Sequence, residues 1–343
     1  MEVKCLQSSK LHSLGIPKID PVLEEHHRPF WSVMIPTYNG TKYLAQTLES
    51  VLQQDPGADV MQIEVVDDCS TKDDPELLVK EIGKGRVSFY RNPQNQGLLA
   101  NWDVCIRRAQ GQWVHLLHQD DLVLPGFYEQ LKKGIEFNPD TGAAFTRFTY
   151  FDEDGLWTNL ANIERKTPGI LENWVETIAT QQRVQFPAIV VRRSTYEKLG
   201  GFCPDARSAA DWEMWKRIAA HYPIWYEPQI LACFRLHSNS TSSSLIQRGE
   251  NIADSYRAIN VSLSYLPKET AHHFSRKARN FYAAYALTMA HKMLDRNEIK
   301  GAVAQLNQGL KFCPSFNHIQ SGLFAYIRIG KKWFWQNFID RCV

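Results

Sequence analysis

Gln112-Trp113-Val114-His115-Leu116-Leu117-His118-Gln119-Asp120-Asp121 decides how the rest of the chain reads. Trp113 to Leu117 is mostly apolar, as a central parallel strand covered on both faces should be. After Leu117 the chain turns polar and acidic. In open α/β sheets ligands bind just beyond the carboxyl ends of the strands. Two adjacent carboxylates there offer hard oxygen ligands to Mg2+ or Mn2+. A solvated turn before Pro125-Gly126 would also be acidic, so Asp120 and Asp121 need support from elsewhere. His115 and His118 argue little for zinc, since residues three apart on a strand face opposite ways.

Support comes from both sides. Trp31 to Ile35 reads as a first strand, broken at Pro36-Thr37-Tyr38-Asn39-Gly40. Leu44, Leu48, Val51 and Leu52 follow at helical spacing. Ile63 to Val66 is a second strand ending in Asp67-Asp68-Cys69-Ser70. Pro75 to Ile82 is a short helix, Arg86 to Tyr90 a third strand, and Leu99 to Ala109 a helix after the Asn95-Gln96-Gly97 turn. This alternation predicts a mostly parallel central sheet flanked by helices. Three polar strand ends, Thr37-Tyr38-Asn39, Asp67-Asp68 and Asp120-Asp121, would then share one edge and outline one cleft. The first strand lacks a Gly-rich phosphate fingerprint, which speaks against a dinucleotide Rossmann site. Beyond it, Pro125–Phe137 is a helix, Ala143–Phe151 and Phe186–Val191 are strands, and Ala210–Ala220 is a helix rich in Trp. Two short strands, Ile224–Tyr226 and Ile230–Phe234, precede a Ser-rich segment expected to be a mobile loop. From Gly249 helical patterns dominate.

The 343 residues allow one large domain with an appendage, or two domains. We expect an extended arm over 1–29, a main α/β domain over 30–246 and a helical region over 247–343. The main domain would divide into two halves, about 30–124 and about 125–246. The net charge of +2 argues neither for nor against a nucleic-acid partner, and none is expected. Seven dispersed cysteines without a CxxC pair suggest a reducing compartment. Met1 is not followed by an apolar signal region, and no run reaches the ~18 apolar residues of a membrane span. A cytoplasmic protein is expected. The basic-aromatic stretch Arg328 to Trp335 fits a packed terminal helix or a peripheral contact with the inner face of the cell membrane.

Taken in order, these motifs resemble family 2 glycosyltransferases of the GT-A fold, over about Trp31 to Ser243. Val33 to Asn39 is similar to the family's opening strand. Val65-Val66-Asp67-Asp68-Cys69-Ser70 is similar to its V-D-D-G-S element, with Cys in place of Gly. Asn95-Gln96-Gly97 with Asn101 fits the next segment. His118-Gln119-Asp120-Asp121 stands where the family has an acidic D-x-D-D stretch, with His118 replacing the first acid. Leu199-Gly200-Gly201-Phe202 and Asp211-Trp212 match later elements. The resemblance implies an inverting enzyme that moves a sugar from a nucleoside diphosphate donor to a glycan or lipid-linked glycan, as in bacterial surface-polysaccharide synthesis. It implies Mn2+ or Mg2+ held directly by Asp121, with Asp120 nearer the donor ribose. It implies donor contacts at Pro36, Tyr38, Asp68, Asn101, Arg235 and His237, with Tyr38 stacking on the base and Arg235 or His237 pairing with phosphate. His118 would meet metal, nucleotide or neither. Asp211 would be the general base, ionised near neutral pH by a helix N-terminus, or alternatively a helix N-cap; Glu213 is the next carboxylate. Two other classes compete: a sugar nucleotidyltransferase, which should carry a basic Gly-rich loop after the first strand, and a catalytically silent glycan-binding or scaffold protein.

Overall fold

The structure is a computed structural model and describes residues 14–22, 28–238, 240–312, 320 and 322–330. The chain forms two compact units, one ending at Leu236 and one comprising chiefly the residues from His237 onward. Residues 179–181 and 205–209 also belong to the second unit.

The first unit is built on one sheet. Trp31–Thr37 (β1) pairs in parallel with Met61–Asp67 (β2) and with Trp113–Leu116 (β4), and β2 with Ser88–Arg91 (β3). Leu122–Val123 (β5), Ala143–Phe151 (β6), Trp157–Leu160 (β7), Gly169–Ile170 (β8), Ile189–Arg192 (β9) and Ile224–Arg235 (β10) complete it. The strand order is β3-β2-β1-β4-β9-β6-β10-β5, with β6 and β10 parallel and β9 and β5 antiparallel to their neighbours. A mostly parallel sheet is therefore observed, as the alternation implied. β1 and β4 are buried throughout. The helix Thr41–Leu52 turns Leu44, Leu48 and Val51 inward to that core. Each such side chain contributes about 1.5–3 kcal/mol by leaving water.

Four expectations change. The Phe186–Val191 strand is shorter: Phe186–Ala188 is a 3-10 turn, and β9 starts at Ile189. Pro187 has no N–H to give a ladder, so pairing begins after it. The two short strands near Ile224 and Ile230 are one, β10, with register shifts around Pro228-Gln229 that absorb the proline. The arm is not wholly outside the core: Ile16 and Ile19 are buried, and Pro17 O accepts from Gly201 N at 2.8 Å. Gly200, at φ +80, leaves no room for a Cβ, which would stand 2.6 Å from Ile16 Cγ2. The Ser-rich segment holds a helix, Thr241–Arg248, capped by Ser240, whose hydroxyl accepts from Ser243 N at 3.1 Å.

The second unit is helical among its described residues: Thr241–Arg248, Glu250–Ser262, the 28-residue Lys268–Asp295 and Ile299–Phe312. Leu287, Met293, Leu294, Ala302 and Leu306 form its core. Most of the basic-aromatic stretch, from Lys331, lies outside the described residues.

Within the first unit, the helix Ala210–Ala219 carries a fully buried ion pair. Arg217 Nε and Nη2 meet Glu213 Oε1 and Oε2 at 3.0 and 2.9 Å, and Arg217 Nη2 also donates to Gly201 O at 2.8 Å. Removing one partner strands the other charge. Arg217→Ala should destabilise the protein by about 3–5 kcal/mol in urea denaturation, and an unchanged midpoint would contradict the pairing.

Candidate active site

The acidic turn is held from several sides. Leu117 N still donates to Met34 O at 3.0 Å, the last sheet-like bond before the chain turns. Gln119 then reaches back across β1: its Oε1 accepts from Thr37 Oγ1, and from Tyr38 N at 2.9 Å. A Cβ on Gly40 would stand 1.9 Å from Gln119 Cδ, so only glycine permits this approach. Thr47 Oγ1 lies 2.9 Å from the carbonyl oxygens of both Gln119 and Asp121. Arg235 closes the turn from β10. Its backbone N donates to Asp121 Oδ1 at 2.9 Å, its Nε to Asp120 O at 2.8 Å, and its Nη2 to Gln46 Oε1 at 2.6 Å. Its guanidinium is layered between the rings of Tyr43 and Phe151, at 4.1 and 4.2 Å.

His118, Asp120 and Asp121 each bring one potential ligand atom to within 4.8 Å of the others. Two of these residues keep a buried atom without a protein partner, His118 Nε2 and Asp121 Oδ2. Burial, with the charge of Asp120 added, holds the Asp121 carboxyl well above the usual carboxylate range. Burial pushes the His118 imidazole down to about 4, against the pull of Asp120. The His118 ring lies 4.3 Å from the Phe186 ring and 5.4 Å from Trp102, centroid to centroid. Two carboxylates, an imidazole and two buried atoms lacking partners fit a divalent cation. His115 is bonded at Nδ1 to the Tyr128 hydroxyl and at Nε2 to Pro187 O, next in the chain to the Phe186 that meets His118. Both ring nitrogens of His115 are engaged, and it takes no part in the acidic cluster.

The neighbouring strand ends are largely self-satisfied. Asp67 accepts from Ser70 and from Arg91 Nε, the latter at 2.6 Å. Asp68 Oδ1 accepts from Asn92 Nδ2 and Gln96 N, and Oδ2 from Gly97 N, all at 2.9 Å. Its carboxylate therefore builds the 92–97 loop, a task the sequence did not announce. Cys69 has φ +61, the left-handed backbone that a glycine in V-D-D-G-S would adopt freely. Asn39 Oδ1 accepts from Thr71 N and Lys72 N at 2.9 Å, joining the ends of β1 and β2. Pro36 is buried, whereas Tyr38 is 44% exposed and open to a stacking partner. Asn101 is buried with both ends of its amide engaged, by Asn92 Nδ2 and Val66 O. It stiffens the loop and is not poised for a ligand. Arg235 likewise acts as the brace described above. His237 belongs to the second unit, where its carbonyl accepts from Ser243 Oγ at 2.9 Å.

Asp211 is the second residue of the helix Ala210–Ala219, so the N-cap alternative does not hold. Its Oδ1 accepts from Trp212 N at 2.6 Å and its Oδ2 from Gln182 Nε2 at 2.8 Å. Burial pushes its carboxyl up to about 6, against those two hydrogen bonds and the charge of Lys216. The expected effect of the helix start is outweighed, being worth only ~0.3–1 kcal/mol. Lys216, fully buried over the Trp212 ring at 3.8 Å, is pushed down to about 7 by the same burial, opposed by Glu213 and Asp211. Glu213 is paired with Arg217 and cannot stand in for Asp211. Trp215 lies one helical turn after Asp211, on the same face. Its ring is 5.6 Å from Phe186, which in turn meets His118. An aromatic layer thus connects the Asp211 helix to the acidic turn. Gln119, Gln182 and Lys216 carry no signal in the sequence; their tasks depend on partners 29 or more residues away or on burial, which spacing does not reveal.

Residues 32–200 match the family model described as glycosyl transferase family 2. An uncharacterised glycosyltransferase of Haemophilus influenzae is 25% identical over 279 residues, 76% of this chain and 84% of that protein. The putative teichuronic acid biosynthesis glycosyltransferase TuaG of Bacillus subtilis is 31% identical over 132 residues, covering 37% of this chain and 50% of its own length. Among solved structures, the mannosyltransferase PcManGT from Pyrobaculum calidifontis, in complex with GDP-Man and Mn2+, superposes with a TM-score of 0.58 at 18% identity. That likeness covers 96% of this chain and 93% of the other, and establishes the GT-A fold. Through the matched segment, with the acidic turn at its centre, the chain belongs to glycosyl transferase family 2.

Proposed function

We propose that the protein is an inverting, metal-dependent glycosyltransferase of cell-surface polysaccharide synthesis. It would move a sugar from a nucleoside diphosphate donor to a hydroxyl of a glycan or lipid-linked glycan. The observation that carries this reading is the aromatic layer through Phe186, which joins a carboxylate–imidazole cluster to the helix of Asp211, a half-buried aspartate with a raised pKa. The name of TuaG supports the polysaccharide setting, and the GDP-Man and Mn2+ of PcManGT support the donor class and metal.

In this reading residues 30–246 are the catalytic domain, with the donor half about 30–124 and the acceptor half about 125–246. Asp120 and Asp121 would hold Mn2+ or Mg2+, Asp121 through Oδ2, since its Oδ1 already accepts from Arg235 N. Such an ion, when bound, neutralises the charge that develops on the departing diphosphate. Tyr38 would stack on the donor base, with Pro36 and Asp68 shaping the floor beneath it. Asp211, ionised, would take the proton of the acceptor hydroxyl as that oxygen bonds to the anomeric carbon. The carbon–oxygen bond to the diphosphate breaks on the opposite face, and the configuration inverts. Gln182 holds the base in place. A base with pKa about 6 is mostly ionised at neutral pH yet still basic enough to accept a proton. We place the reaction in the cytoplasm, at the inner face of the membrane where a lipid-linked acceptor would lie. Among the described residues no helix is long and apolar enough to cross a membrane.

Excess chelator should abolish transfer, and Asp120→Ala should remove metal-dependent diphosphate binding in a thermal-shift panel of nucleoside diphosphates with and without Mn2+. Full turnover in chelator would refute the metal assignment, and donor binding without turnover would favour a silent binding protein.

Asp211→Asn should lower the single-turnover rate about 10²–10⁴-fold while donor affinity stays unchanged. Because burial raises the carboxyl pKa, the base is lost on acidification: the rate should rise with pH up to about 6 and level off above it. A near-normal rate for the Asn variant would exclude Asp211 as base.

A further inference from the structure

His118 stands where the acidic stretch of the family has a carboxylate, and the structure gives that change a chemical meaning. Its Nε2 is buried and without a protein partner. Its ring packs against Phe186 at 4.3 Å and Trp102 at 5.4 Å, two rings that also meet each other at 4.6 Å, which limits the directions its nitrogens can point. Its ligating atom lies within 4.8 Å of carboxylate oxygens of Asp120 and Asp121. Two donors each about 2.1 Å from one ion stand about 4.2 Å apart when trans and about 3 Å when cis, so the three atoms lie near enough to draw in on one ion by side-chain adjustment. Asp121 Oδ2 is the second buried atom of this cluster without a partner, and its residue is 1% exposed.

We infer that His118 is itself a metal ligand, making a mixed nitrogen–oxygen site that selects Mn2+ and the later first-row ions over Mg2+. The inference rests on the metal-dependent reading above and adds to it the identity of the third ligand and the direction of selectivity. Mg2+ takes oxygen ligands and dehydrates reluctantly, so an imidazole in its first shell is unfavourable. An imidazole nitrogen is well matched to borderline transition ions, and carboxylates serve both classes. The two carboxylates alone would not discriminate; the imidazole does. The packing of the ring by Trp102 and Phe186 supplies orientation that an outer hydrogen bond often gives a ligating histidine.

The test uses the full-length protein loaded with MnCl2, alone and with UDP or GDP. Electron spin-echo envelope modulation should show a coupled 14N nucleus, replaced by a 15N signal when the protein carries 15N-histidine. His118→Asp, with a circular-dichroism spectrum like the parent, should bind Mn2+ without that signal. Its preference for Mn2+ over Mg2+, measured by competition, should fall at least about 10-fold, the lower end of what losing an outer-shell partner alone costs. The isotope experiment needs no variant, so a poorly folding His118→Asp leaves the outcome readable. Bound Mn2+ with no nitrogen coupling in the parent protein would overturn the assignment of His118 while leaving the metal reading intact. An unchanged Mn2+ to Mg2+ preference in a folded His118→Asp would overturn the selectivity. No Mn2+ binding by the parent, with either nucleotide, would overturn both this inference and the reading beneath it.

Discussion

The carboxylate of Asp121 accepts the backbone amide of Arg235, and the guanidinium of the same arginine returns to the carbonyl of Asp120. This reciprocal contact decides where the acidic turn stands. A buried carboxylate beside a second one is costly unless something compensates it. Arg235 provides compensation in three forms: an amide, a cation and a rigid position between Tyr43 and Phe151. Because its backbone amide is the donor, the bond survives most substitutions of its side chain. The remaining oxygen, Oδ2, is left for a ligand. The turn is therefore built by its neighbours, with Gln119 fastening it to β1 on one side and Arg235 fastening it to β10 on the other.

The parts of the site that the sequence shows are those that depend on local order. Asp120 and Asp121 end a strand, and a strand end in a parallel sheet has only one edge to occupy. The parts it hides depend on distant partners. Asp68 looks like a free acceptor, but Asn92, Gln96 and Gly97 return to it from the next loop. Asn101 looks like a contact and is a strut. Arg235 looks like a phosphate ligand, and its backbone amide, Nε and Nη2 brace the acidic turn and Gln46. Each keeps its place in the motif order while the charge or amide is consumed by the fold.

For the fold, periodicity was sufficient wherever one strand paired with its sequence neighbour by a helical crossover, as from β1 to β2 and from β2 to β3. It was insufficient where a proline changed the pairing. Pro187 turns the head of an apolar run into a 3-10 turn and sends Phe186 to the aromatic layer, whereas Pro228 only bulges β10. Both are Pro within apolar surroundings, and only the partner strands decide which happens. Ser-rich composition suggested a loop at 237–245, yet one hydroxyl at Ser240 caps a helix there. Composition reports average solvation; a cap is a single bond.

The brace at Arg235 also imposes an order of events on synthesis. Asp121 and Arg235 are separated by 114 positions, with β6 and β9 in between. The turn's own residues leave the ribosome long before the strand that positions them. Until β10 docks, Asp121 lacks its amide donor and Asp120 its cation, and the two carboxylates repel each other in water. A nascent or truncated chain ending before β10 thus carries the motif without the geometry. Long-range closure of this kind comes late in folding. The geometry of the acidic turn is thus a property of the finished sheet and not of the motif alone.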